Sequence, residues 1–179
     1  MHARFRSALI VILLSGLAAC SNPPGSARNW TPAALGEISA DRCLYYTEAE
    51  DFQRKAGGDL DYKPGASKGI CLGMRWGDNR SDFASYEMDF DANSPATLMV
   101  IRVAFIGNAA QSYDVLIDGQ TVHTATLSPT GGYGYTASEW ASYSFPVGRI
   151  DRGRHTLTIQ PMKSGAVINI DCFALGKTN

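Results

Sequence analysis

Residues 85–105 read SYEMDFDANSPATLMVIRVAF, and this stretch decides the fold. In its first part Tyr86, Met88 and Phe90 alternate with Ser85, Glu87 and Asp89. Successive side chains of a strand point to opposite faces, so the pattern predicts a strand with one buried face. Ala96 to Phe105 is apolar at nearly every position except Arg102, as expected of a strand covered on both sides. Arg102 is expected to pair with a carboxylate or to reach solvent along its aliphatic stem.

The same grammar continues on both sides of this stretch. From about Leu44 onward, short segments are separated by turn residues. Tyr113, Val115 and Ile117 alternate with polar residues, and Asp118-Gly119 supplies a hairpin turn with a return strand near Val122 to Leu127. Tyr143, Phe145 and Val147 mark another strand. Leu157 and Ile159 mark the next, after a polar turn at Asp151-Arg152-Gly153, and Val167 to Leu175 is the last. Pro32 to Ile38 predicts at most one helical turn, weakened by Gly36. Eight or nine closely spaced strands without an internal repeat predict an all-β fold, a β-sandwich or jelly roll of antiparallel sheets.

Composition agrees. The chain has 179 residues, 45% apolar, 10% aromatic and 18% charged, with 18 Gly, 8 Tyr and 7 Phe. It balances 16 Lys+Arg against 17 Asp+Glu for a net charge of −1, which argues against a nucleic-acid partner that needs a basic surface.

The first residues read as an export signal. Arg4 and Arg6 precede an apolar run, Ser7 to Gly16, that is too short to span a bilayer. Leu17-Ala18-Ala19-Cys20 resembles the lipobox of bacterial lipoproteins, in which the chain is cut before the cysteine and the cysteine is acylated, as with palmitate. The resemblance implies a signal peptide over 1–19 and lipidation at Cys20. Ser21 after the cysteine implies the outer membrane, with attachment through the lipid anchor alone. Residues 20–43 form the tether and N-terminal segment, and 44–179 the domain. Cleavage leaves 160 residues with a net charge of −3. Cys43, Cys71 and Cys172 remain, so an oxidising compartment predicts one disulfide and one thiol, with all three pairings open.

Three motifs then occur in order: Thr47-Glu48-Ala49-Glu50-Asp51-Phe52, Thr130-Gly131-Gly132-Tyr133 ahead of Trp140, and Asn169-Ile170-Asp171. Together they resemble carbohydrate-binding modules of families 6 and 35, which are galactose-binding-like jelly rolls, over roughly Leu44 to Leu175. Two acidic residues at i and i+2 on a strand project to one face and repel unless a cation lies between them. Calcium accepts six to eight oxygens. The resemblance places the first and last strands side by side, implying a structural Ca2+ site of Glu48, Glu50 and Asp171. A solvated acidic edge is the alternative.

A sugar site needs an aromatic face and directional polar groups. The resemblance implies Tyr133, with Tyr135 beside it, at the family's loop aromatic, and Asn169 as the polar residue of the closing strand. A second family aromatic aligns with Trp76 or with Met74. Trp76, among Gly77, Asp78, Asn79 and Arg80, reads equally as a ligand contact or as loop packing, whereas Trp140 at a strand start reads as core.

No metalloprotease, nucleophile-elbow or phosphate-loop motif is present, and His123 and His155 lie in expected strands. Glycoside hydrolysis needs two carboxyl groups across a cleft, and Glu48 and Glu50 stand side by side instead. The expectation is therefore a non-catalytic binder of a polysaccharide or oligosaccharide. An envelope module that docks a protein partner is the alternative.

Overall fold

The computed structural model describes Ile38 and residues 42–90 and 95–178. The signal peptide, Cys20 and nearly all of the Pro32–Ile38 segment lie outside these residues. The described residues form eleven strands: β1 Cys43–Glu48, β2 Arg54–Ala56, β3 Asp59–Tyr62, β4 Ile70–Gly73, β5 Phe83–Phe90, β6 Ala96–Ala104, β7 Gln111–Ile117, β8 Gln120–Leu127, β9 Ala141–Ile150, β10 Gly153–Pro161 and β11 Asn169–Gly176. They form two antiparallel sheets. One has the order β3-β4-β11-β6-β9, with β1 also paired to β11; the other has the order β2-β5-β10-β7-β8. This is the all-β jelly-roll sandwich expected from the sequence.

The alternating residues do what their period requires. Tyr86, Met88 and Phe90 point into the core between the sheets, as do Tyr113, Val115 and Ile117, and Leu157 and Ile159. Asp118 (φ 52°) and Gly119 (φ 79°) both adopt the left-handed conformation that a two-residue hairpin between β7 and β8 demands. The first sheet is also covered on its outer face. There Ile38 packs with Cys43, Val100, Cys172 and Ala174, and Trp140 packs with Ala66, Cys71 and Ala104. Covering on both faces explains the unbroken apolar run of β6.

Three expectations need correction. Cys43, Cys71 and Cys172 are all buried and all unpaired with one another, so the expected disulfide is not formed. Each is packed as a small apolar side chain, and burial pushes the Cys71 thiol up to about 12. Glu50 is not on a strand: β1 ends at Glu48, and Ala49–Asp51 is a single 3-10 turn. Trp76 is not a surface residue. It is 0% exposed in the main core, stacked on Tyr113 with ring centroids 5.9 Å apart.

Candidate functional site

The expected aromatic pair lies in the loop between β8 and β9. Tyr133 is 42% exposed and Tyr135 is 58% exposed, which is unusual for rings of this size in so ordered a loop. The Glu139 carboxylate accepts hydrogen bonds from the Gly134 and Tyr135 amides, both at 2.9 Å. These bonds hold its pKa below the usual carboxylate value, the Tyr135 amide contributing most. The Trp140 indole Nε1 donates to the Gly134 carbonyl at 3.1 Å. Gly134 has φ +88° and lies against the N–H edge of the Trp140 indole, so a Cβ there would collide with it.

Asn169, at the start of β11, is buried and donates from Nδ2 to the Tyr133 carbonyl at 2.8 Å. Its side-chain oxygen sits where a Cβ on Gly73 would be, which requires glycine at that position. Asn169 thus supports the loop that carries Tyr133, and Gly73 brings the end of β4 beside it. Met74 follows directly and is 57% exposed. Met74 and Arg75 both have positive φ (48° and 67°). Two successive left-handed residues reverse which way the chain faces, so Met74 points out and Trp76 turns in.

Lys63 was not singled out by the sequence, because β3 is short and studded with aspartates. The residue is buried, with Nζ 4.0 Å from the Tyr135 ring centroid and 3.0 Å from the Asp61 carboxylate. It fixes the back of the Tyr135 ring by a cation–π contact. The result is a platform of Tyr133 and Tyr135, backed by Asn169, Lys63, Glu139 and Trp140.

The carboxylates gather beside this loop on the same outer face. Antiparallel pairing sets Glu48 opposite Cys172, and a bulge between Ile170 and Cys172 turns Asp171 to the same side. Ligand atoms of Glu48, Asp171 and Cys172 all lie within 4.8 Å of one another. Ser67 joins them: its hydroxyl lies 2.5 Å from Glu48 Oε2 and 2.9 Å from Asp171 Oδ1, and its amide donates to Asp171 Oδ1 at 2.9 Å. Arg102 donates to Asp171 Oδ2, so the one charge in the apolar strand is paired with a carboxylate.

Glu50 meets this cluster through Lys68. The Lys68 ammonium is 3.7 Å from Glu48, 3.9 Å from Glu50 and 3.7 Å from Asp51. These separations exceed hydrogen-bond length, so the ammonium offsets charge without bonding to any of the three. Glu50 Oε2 is buried with no hydrogen-bond partner among the described residues. Burial raises the Glu48 carboxyl and pushes Glu50 up to about 7. An orphaned carboxylate oxygen beside convergent carboxylates fits a hard divalent cation, which would take the place of the Lys68 ammonium. Cys172 is a poor ligand for such an ion, being a soft donor whose thiol burial keeps protonated.

No family model and no curated protein sequence matches this chain. Solved structures do. A family 35 carbohydrate-binding module from Clostridium thermocellum superposes with a TM-score of 0.63 at 16% identity, covering 75% of this chain and 99% of the module. A family 6 carbohydrate-binding module from Clostridium cellulolyticum in complex with xylose gives 0.61 at 19% identity, covering 75% and 98%. An exo-β-1,3-galactanase from Phanerochaete chrysosporium, with β-1,3-galactotriose, gives 0.61 at 14% identity, but this chain spans only 30% of it. The fold of this protein is that of family 6 and family 35 carbohydrate-binding modules.

Proposed function

We propose that this protein is a non-catalytic, lipid-anchored binder of a polysaccharide or oligosaccharide, stabilised by a structural Ca2+. The observation that carries the reading is the exposure of Tyr133 and Tyr135 on a loop held from behind by Glu139, Asn169 and Trp140. Exposing two rings on a fixed backbone sacrifices burial and supplies a preorganised face for pyranose C–H groups. The modules that share the fold support the same reading.

Glu48, Glu50 and Asp171 are the proposed Ca2+ ligands, with Lys68 displaced on binding. Cys20 is the proposed acylation site, attaching the domain to the outer membrane. Mass spectrometry of the protein from membranes, compared with Cys20→Ser, tests the anchor: no acyl mass on the wild type rejects it.

Affinity gels containing xylan, a β-1,3-glucan or a β-1,3-galactan test the binding reading. Wild type is expected to be retarded by at least one of them, and Tyr133→Ala and Tyr135→Ala to migrate freely with unchanged unfolding midpoints. Equal retardation of wild type and both variants would remove these rings from the site.

A second reading, docking of an envelope protein, is favoured by a separate surface. Leu60 and Tyr62 face Leu72 and Ile70 across the β3–β4 pair, and Leu60, Tyr62 and Ile70 are exposed together on the side of the hairpin opposite Asp61. An apolar group of this kind suits a protein partner better than a sugar.

A further inference from the structure

Arg102 lies between the carboxylate cluster and the aromatic loop, and its guanidinium touches both. One terminal nitrogen donates to Asp171; the other donates to the Gly65 carbonyl at 3.3 Å. Its Cζ stands 5.1 Å from the Trp140 ring centroid. The two neighbours it holds then converge on one atom: the Gly65 amide and the Trp140 indole N–H both donate to the Gly134 carbonyl, at 3.2 and 3.1 Å. Gly134 separates Tyr133 from Tyr135 in the chain. Gly65 also packs so closely on Thr136 that a Cβ there would collide with the Thr136 carbonyl.

We infer that Arg102 is a positioning residue for the aromatic loop, tying the backbone between Tyr133 and Tyr135 to Asp171. The physical case rests on the shape of the guanidinium. A planar fork donates along two directions while its face stacks on an indole. An ammonium donates to Asp171 but has no planar fork that can also reach the Gly65 carbonyl while its face lies over Trp140. Asp171 is wholly buried and keeps its two bonds from Ser67, so the strand end it belongs to is anchored without Arg102. What Arg102 adds is the link from that anchor to the loop. A consequence is that a change at Asp171 reaches Tyr133 and Tyr135 without touching either ring.

The effect on sugar binding rests on the carbohydrate reading, whereas the effect on loop order does not, so the test reads both. Arg102→Lys retains the charge beside Asp171. Arg102→Met combined with Asp171→Asn removes both charges together and guards against a misfolded single variant. Amide hydrogen exchange by NMR is expected to show at least tenfold faster exchange at Gly65, Gly134 and Tyr135 in Arg102→Lys, with the β5 and β10 amides unchanged. Trp140 emission is expected to shift as its cation–π partner leaves. On the xylan, β-1,3-glucan or β-1,3-galactan gel that retards wild type, Arg102→Lys is expected to bind at least fivefold more weakly. Unchanged exchange at the three amides, or acceleration spread evenly over the sheets in both variants, would overturn the inference. If no polysaccharide retards wild type, the carbohydrate reading falls, and the exchange pattern alone decides the role of Arg102.

Discussion

Replacing Trp76 separates a core residue from a ligand contact by magnitude alone. The side chain is fully buried against Tyr113, and its Nε1 has no hydrogen-bond partner among the described residues. A buried tryptophan removes about 150–250 Å² from water, worth roughly 4–6 kcal/mol at about 25 cal/mol per Å² as an upper bound. Trp76→Ala is accordingly expected to cost about 4 kcal/mol. With a urea m-value of roughly 1.5–2 kcal/mol/M, the unfolding midpoint falls by about 2–3 M. Trp76→Phe behaves differently. It loses about 1–2 kcal/mol of packing but also removes a buried, unpaired donor that costs about 1–3 kcal/mol. Its unfolding free energy is expected to stay within about 1 kcal/mol of wild type, with polysaccharide retardation unchanged. Urea titration followed by far-UV circular dichroism measures both variants. An alanine variant as stable as wild type would refute the core assignment, and equal losses for Ala and Phe would refute the role given to the orphan N–H.

Three further expectations concern charge and sulfur. Glu139 has a lowered pKa, so its clamp on the Gly134 and Tyr135 amides is fully formed above the ordinary value of 4.5 and is lost as pH falls through the depressed one. Gel retardation is therefore expected to be flat from pH 7 to 4.5 and to weaken below, whereas Glu139→Gln, with no carboxyl to titrate, is expected to be weaker throughout and to lack this acid fall; weakening between pH 7 and 5 would point to another group. Chelation with EDTA is expected to lower the melting temperature by roughly 10 °C if the ion is present at about 100 times its dissociation constant, an unchanged midpoint rejecting the metal. Dithiothreitol is expected to leave the melting temperature unchanged, since no disulfide joins Cys43, Cys71 or Cys172 to another of the three, and a fall would reveal a disulfide.

The long strands were legible because their periods are clean: β5, β7 and β10 alternate, β6 is continuously apolar, and Asp118-Gly119 names its own turn. The short strands β2 to β4 were not, since Asp59 and Asp61 give an edge strand the composition of a loop. At the platform, Tyr133 and Tyr135 stand exposed where a glycine-rich loop suggested, but Trp76 was misplaced. Its polar neighbours describe a loop accurately; what they do not reveal is the left-handed pair Met74-Arg75 that turns the indole inward. Glu48 and Asp171 meet through β1–β11 pairing, whereas Glu50 reaches the cluster from a 3-10 turn that a strand pattern does not announce. Lys63, Ser67 and Lys68 act through partners distant in sequence, and a single sequence carries no local signal for such contacts.

The last strand of the fold has a consequence for how the chain is made. All eight residues of β11 are buried, and it pairs with β1 and β4 along one edge and β6 along the other. Until it emerges, β1 has no pairing partner, β4 has only β3, β6 has only β9, and the sheet is left in three pieces. The most distant pairing in sequence is thus also the central one, which makes folding slow and late. Were the chain exported, as proposed above, such lateness would be useful, because segments lacking β11 have no closed sheet to resist threading through a narrow channel. The domain locks only once its final strand has joined its neighbours.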